Sequence, residues 1–474
     1  MTIATHELNN LPDCILLNIF KHCRSTEVIW RARIVCKRWY NLLADAELWR
    51  VSDLSSFKLD KPDFIETITS YVPIKDLQYL QIQHNVIPNN VLKIILKQAF
   101  NLEGLSLYGS TVISEKQSLH QNHVSRHVGF VDIRNSKANS DFMKSIIANT
   151  KKRIKILGVS NSFGTSTEIY GKSFLHFLPN LTILECSDCV WMNDNVISEM
   201  STYCRLLESL NINKCLNVIG TNLHLLIARC TKLKTLILRR TSVRNEEIIK
   251  PNWAHSNINE LDLANCYYLD DGPVLHVVQD LAIKLEHLCC AVTDELVLSI
   301  TNKKLKLRSL ELRRRHPLNE EYLVKFISKC EFLESLDISL MPIEFEFFQQ
   351  MLPKLSNLRW LHFAGHDILK TTEVLKLLSE HCWHLQQVGF HYYNAKPNQT
   401  QIHDAIMNFL QSSLNLQRVC IGGVHMEELI RRVQATIIKK QLYELLSIEI
   451  CDASKFILPQ SRNSVNNYAA FFKQ

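Results

Sequence analysis

Glycine and proline are scarce in this 474-residue chain, with 12 of each. That excludes long flexible linkers, a Gly-rich phosphate loop and a collagen-like segment. No stretch approaches the ~20 consecutive apolar residues that a membrane-crossing helix needs. Charge of one sign is in little excess: 54 basic residues against 47 acidic ones leave a net +7 over the whole chain, which by itself gives no nucleic-acid argument because such binders concentrate their basic excess. The opening MTIATHELNN has neither a basic n-region nor an apolar h-region, so the expectation is an intracellular protein, cytoplasmic or nuclear. Neither a nucleophile motif nor a phosphate loop occurs, and no catalytic residue, metal or cofactor is expected. What is present is core material: 46% of residues are hydrophobic and 21% charged, a globular balance.

The chain repeats itself. L-x-x-L-x-L, with Leu, Ile and Val interchanging, starts at Leu77, Leu102, Val128, Ile154, Leu181, Leu207, Leu233, Ile258, Leu285, Leu307, Leu333, Leu358, Leu385, Leu416 and, more weakly, Leu445, at spacings of 22 to 31 residues. A period in this range is the signature of stacked structural repeats. Between the strands, Ile197, Met200, Cys204; Leu223, Leu226, Cys230; Leu323, Phe326, Cys330; and Leu375, Leu378, Cys382 each occupy one helix face. The pattern resembles the leucine-rich repeat over roughly residues 77–453, about 15 strand-helix units. Such units bury their apolar rows only against neighbours.

Nine of the fifteen cysteines fall in register. Cys189, Cys215 and Cys266 hold the ninth repeat position, where the family uses Asn or Cys to satisfy backbone groups. Cys186 and Cys290 hold the sixth, while Cys204, Cys230, Cys330 and Cys382 precede their strands by three residues. This resembles the cysteine-containing repeats of F-box proteins. Cys186-Ser187-Asp188-Cys189 and His381-Cys382-Trp383-His384 also look like metal or redox clusters, but no complementary ligand pair accompanies either, so packing is the expected role.

Residues 8–50 do not fit the repeat and predict about three short helices. Pro12 opens the first, followed by the stripe Ile15, Leu16, Ile19, Phe20 and Cys23. A second stripe comprises Ile34, Val35, Trp39 and Leu42, before Leu48-Trp49. Some forty residues with large apolar groups on several faces need a covering surface. The succession Leu-Pro, Ile-Leu, Ile-Phe, then Val35-Cys36-Lys37-Arg38-Trp39 and Leu48-Trp49 resembles the F-box. The resemblance implies docking on a Skp-family adaptor, and through it a cullin scaffold, by Leu11, Pro12, Ile15, Leu16, Ile19, Phe20, Val35 and Trp39. Cys14 and Cys23 depart from the family's acidic residue and leucine, which puts full adaptor affinity in doubt. The competing reading makes residues 8–50 a helical cap for the repeats. Phe64, Ile65, Ile68 and Val72 predict a helical linker or cap over 51–76, and 454–474 form a C-terminal tail or cap.

The expected architecture is therefore α/β: an N-terminal three-helix F-box followed by a right-handed leucine-rich-repeat solenoid, with a curved parallel sheet inside and helices outside. Fifteen strands at ~4.8 Å would span roughly 67 Å, which suits a protein or long peptide. Positions three, five, seven and eight of each repeat are expected to line that surface. Its candidate residues are Arg239, Arg240, Arg313 and Arg314, whose forked guanidinium groups suit an acidic or phosphorylated target. Glu260, Asp262, Glu311 and Asp337 lie close enough in the pattern to pair with them instead. A second set, Trp360, His362, His391 and Tyr392, offers aromatic anchors, or else closes the repeats against the tail. A protruding loop is expected at 394–399, and an irregularity at Arg315. The resemblance implies a substrate receptor of an SCF ubiquitin ligase with an unknown protein target; the rival reading is a non-degradative scaffold or inhibitor. Membrane and nucleic acid are not expected partners.

Overall fold

A computed structural model describes residues 8–22, 31–59, 72–113, 125–137, 146, 150, 152–162, 174–314, 318–339, 341, 343–365, 368–392, 399–423, 426–452 and 464–467. The chain forms two compact units: residues 1–233 with 462–474, and residues 234–461.

In the N-terminal unit, helix Asp13–His22, helix Lys37–Leu42 and the 3-10 turn Ala46–Trp49 precede the repeats. The repeat strands follow as Tyr79–Gln81, Gly104–Ser106, Phe130–Asp132, Ile156–Gly158, Ile183–Glu185 and Ser209–Asn211, all parallel. Fourth-position residues stand opposite one another, Leu80↔Leu105↔Val131↔Leu157↔Leu184↔Leu210, and each is buried. Alternation along a strand sends positions four and six into the core and three and five to the other face.

The C-terminal unit repeats the scheme from Thr235–Ile237 through Glu260–Asp262, His287–Val292, Ser309–Arg314, Ser335–Ile338, Trp360–Gly365, Gln387–Tyr392 and Arg418–Gly423 to Glu449–Asp452, again parallel. Helices Asp271–Leu281, Asp294–Thr301, Glu320–Ile327, Ile368–His381 and Gln399–Ser412 lie among the connections. The four apolar-plus-cysteine sets are buried as the helical spacing predicts.

Four expectations need correction. Residues 51–76 do not start as a helical linker: Val51–Asp53 is a strand, paired in parallel with Tyr79–Gln81. The pattern hid this because its fourth position is Ser52, buried with its hydroxyl on the Trp49 carbonyl at 2.8 Å. Phe64, Ile65 and Ile68 lie outside the described residues.

The last repeat begins two residues later than Leu445. Ile450 stands opposite Val419, so it holds the fourth position, not the sixth. A shift of two leaves every side chain on the same face, so the apolar pattern could not fix it.

Position eight is a turn position in the first eight repeats. His84, Gly109, Asn135, Asn161, Asp188, Lys214, Arg240 and Asn265 all have φ between 48° and 67°, the left-handed region where Asn, Asp and Gly are least strained. The next residue then closes the turn. Ser110, Ser136, Cys189, Cys215 and Cys266 donate to the sixth-position carbonyls of the preceding repeats, Ile82, Leu107, Val159, Cys186 and Leu238, at 3.0, 2.6, 3.4, 3.1 and 3.0 Å. Buried carbonyls need such partners, which is the structural role of the ninth-position cysteines. Several later repeats continue as strand through position eight, with Val292 opposite Arg314 and Tyr392 opposite Gly423.

Finally, the described part of the tail, residues 464–467, belongs to the N-terminal unit and not to the C-terminal repeats that it was expected to close; the rest of 454–474 lies outside the described residues.

Candidate functional site

The helical domain before the repeats divides its apolar residues between an interior and an uncovered face. Leu16 and Phe20 are buried, and Phe20 meets Trp39 edge-on at 5.0 Å. These two therefore pack beneath the exposed residues, although the family resemblance grouped them with Ile15 and Ile19. Ile15, Ile19, Ile34 and Val35 are 45%, 39%, 85% and 51% exposed. Pro12 is exposed, while Leu11 and Trp39 are half-buried.

Arg38 fixes the Leu11-Pro12 loop against the second helix. Its guanidinium donates to the Leu11 carbonyl at 2.6 Å, to Asp13 at 2.8 Å and to the Asn9 carbonyl. Cys36 caps helix Lys37–Leu42 by accepting from the Trp39 amide at 3.4 Å. The domain joins the sheet through Leu43, Leu48 and Trp49, all buried, with the Trp49 indole donating to the Leu43 carbonyl at 2.8 Å. The junction is thus cap-like, as the competing reading required, yet the Ile15, Ile19, Ile34 and Val35 face is not consumed by it.

In the N-terminal unit, the third-position side chains Tyr79, Phe130, Ile156 and Ile183 form one cluster with Val465. Beside them, Arg134 is held by Asp132 through Nε at 2.8 Å and Nη2 at 2.9 Å, and reaches Glu185 through Nη1 at 2.7 Å. The other Glu185 oxygen accepts the Val465 amide at 2.8 Å. Burial pushes the Glu185 carboxyl above the ordinary carboxylate range, against the opposing pull of Arg134 and the Val465 amide. Sequence reasoning missed Arg134 because it is a single arginine at position seven, without the doubled charge that drew attention to Arg239 and Arg313.

In the C-terminal unit, the first arginine of each doubled pair is already paired. Arg239 bonds Asp262 at 2.7 Å and Glu311 at 2.6 Å. Arg313 bonds Glu311 and Asp337, the latter at 3.2 Å, and the Ser339 hydroxyl at 3.1 Å. The acids that the pattern offered as rivals to an acidic target already pair with them: position-five carboxylates of the same repeat, the next repeat and, for Glu311 with Arg239, three repeats on. Arg240 is an exposed turn residue. The Arg314 and Tyr392 side chains, Arg315 and the loop before Gln399 lie outside the described residues.

Trp360 and His362 stand at the third and fifth positions of one strand and His391 at the seventh of the next, all half-buried. The structure brings the two histidines together, Nε2 to Nε2 at 3.1 Å, with His362 Nδ1 3.5 Å from Asp337. Burial and the neighbouring His362 push the His391 imidazole below its usual value, against Asp452 and Asp337.

The cysteine clusters behave as packing residues. Cys186 is buried with its thiol pushed up, and burial pushes Cys189 up to about 12. Buried, high-pKa thiols are inert. No group of three metal-ligating side chains occurs among the described residues, and no described helix is long and apolar enough to cross a membrane.

A helical domain with exposed apolar side chains thus precedes a ladder of parallel L-x-x-L-x-L strands, the leucine-rich-repeat pattern. The F-box-like family profile matches residues 8–55. F-box/LRR-repeat protein 4 of Bos taurus is 25% identical over 202 residues, which cover 42% of this chain and 29% of that protein. The chain thus spans less than a third of the length of this relative. Among solved structures, the yeast Rad7–Elc1 complex aligns with a TM-score of 0.38 at 16% identity, covering 72% of this chain and 74% of the matched one. The TLR13–ssRNA13 complex aligns with a TM-score of 0.29 at 16% identity, covering 75% and 44%. The chain thus carries an F-box-like segment over residues 8–55 and is similar to an F-box and leucine-rich-repeat protein.

Proposed function

We propose that this protein is the substrate-recognition subunit of an SCF-type ubiquitin ligase, working in the cytoplasm or nucleus. The F-box face docks on a Skp-family adaptor, the adaptor connects to a cullin scaffold, and a target protein is held on the repeats. The subunit itself carries no chemistry; it supplies proximity, which converts an encounter between ligase and target into an effectively intramolecular step.

The observation that carries this reading is the exposure of Ile15 and Ile19, one turn apart on the first helix, and of Ile34 and Val35 before the second, in a domain whose Leu11-Pro12 loop is held by Arg38. Leaving four large aliphatic side chains in water is unfavourable by roughly 25 cal/mol per Å² of apolar area, and a helical partner surface would relieve that cost.

Pull-down with purified Skp adaptor tests the reading. Wild type is expected to be retained, and Ile15→Asp with Val35→Asp to abolish retention while the circular dichroism spectrum is unchanged. Failure of wild type to bind, where a control F-box binds, would overturn it. Ubiquitination of captured targets that depends on Leu11, Pro12 and Trp39 separates a receptor from a non-degradative scaffold.

A further inference from the structure

In the N-terminal unit the third-position side chains form a socket in which the described tail residues 464–467 sit. Position three supplies the walls, Tyr79, Phe130, Ile156 and Ile183, and Val465 lies fully buried among them. Two glycines give the socket its room. A Cβ on Gly104 would come within 2.5 Å of the Tyr79 ring, and one on Gly158 within 3.0 Å of Asp132 and 3.1 Å of Arg134. The polar rim is directional. Glu185 spends one oxygen on Arg134 and the other on the Val465 amide. Arg134, clamped by Asp132, turns its Nη2 group to the Asn466 side-chain oxygen. Ser464 is buried, and Val465–Asn467 are helical.

We propose that this socket is a peptide-binding site of the N-terminal repeats, which selects a β-branched aliphatic residue followed by Asn or Asp, and that residues 464–467 are its competitor in cis. Each element reads one feature. The apolar walls take a Val or Ile, whose burial stabilises by about 2 kcal/mol. A carboxylate accepts one main-chain N–H, which fixes chain direction. A guanidinium N–H selects an oxygen acceptor on the next side chain, and a charged donor makes that bond stronger than a neutral one. A cargo segment with the same features must displace the tail, so the apparent affinity for cargo falls by the fraction of molecules with the tail seated. That cargo uses this face rests on the receptor reading above; that the socket binds peptide and is self-occupied does not.

The test uses the full chain and one probe, a fluorescein-labelled peptide with the sequence of residues 460–470. A chain carrying Val465→Asp cannot seat its tail, because the socket would have to bury a carboxylate beside Glu185. That chain is expected to bind the probe at least tenfold more tightly than wild type, and a probe carrying the same Val465→Asp change is expected to bind neither. Equal affinity of the two chains, or equal binding of the two probes, overturns the proposal. Should the variant chain lose its folded circular dichroism spectrum, wild type alone decides. Excess unlabelled peptide is then expected to speed hydrogen exchange of the Val465 amide at least tenfold, and unchanged exchange overturns the proposal. Adaptor pull-down of the same preparations is a separate readout: its failure would sink the receptor reading and leave the socket standing.

Discussion

Arg239 reaches across the ladder to Glu311, 72 residues on in the chain, at 2.6 Å while holding Asp262 at 2.7 Å. One guanidinium thus ties together strands from three repeats and neutralises two carboxylates, of which Glu311 is buried. Arg313 approaches the same Glu311 from the other side.

Arg239→Leu is expected to destabilise the fold by about 3 kcal/mol, because removing one partner of a largely buried pair leaves its charges uncompensated. Arg240→Ala, one residue on in an exposed turn, should change stability by less than about 0.5 kcal/mol. Urea unfolding of the two variants checks the contrast, and equal effects would contradict the pairing.

Asp337 gives the C-terminal repeats an acid-sensitive point. Burial opposes its ionisation, but the hydrogen bond from His362 and the charge of Arg313 outweigh it and hold the carboxyl well below the usual range. A depressed folded value means stability that is fully present above the unfolded value of about 3.9 and is lost as pH falls through the folded one. The stability gap between wild type and Asp337→Asn should therefore narrow as pH drops from 5 toward 2. Thermal melts across that range measure it, and a constant gap would refute it.

Leu16 and Ile15 are neighbours with opposite duties. Leu16→Ala should cost about 3 kcal/mol as a buried truncation. Ile15→Asp, on the exposed face, should melt within a few degrees of wild type yet lose adaptor retention. Paired melting and pull-down measurements distinguish the two, and a shared phenotype would contradict the division between interior and face.

Leu236, opposite Leu261 and fully buried, tests the repeat register. Leu236→Asp forfeits about 2 kcal/mol of apolar burial and buries an unpaired carboxylate, at a further cost of several kcal/mol. Loss of cooperative unfolding is expected in calorimetry; an unchanged melt would place that side chain outside the core.

Much of the scaffold was legible in the chain because its information is local. Positions one, four and six of each repeat are apolar for a reason that every repeat shares, and cysteine at position nine answers a carbonyl at a fixed offset. The exceptions share a physical cause. Ser52 broke the apolar signature of an added strand by hydrogen bonding where leucine would pack. The two-residue slip near Leu445 preserved side-chain parity and left no trace. Position eight resembled a surface position until its left-handed φ was visible, although Asn135, Asn161, Asp188 and Asn265 are the residue types that tolerate it.

By itself the sequence determined the repeat period, the parallel strands, the buried rows and an F-box-like succession of apolar residues, since each is set by neighbours within a few dozen positions. Only the tertiary structure decided which charges are already spent and which surface is occupied. Arg239 finds Glu311 after 72 residues and Glu185 finds the Val465 amide after 280. Pairings across such separations depend on where the folded chain brings its ends, and no spacing rule along the chain encodes them.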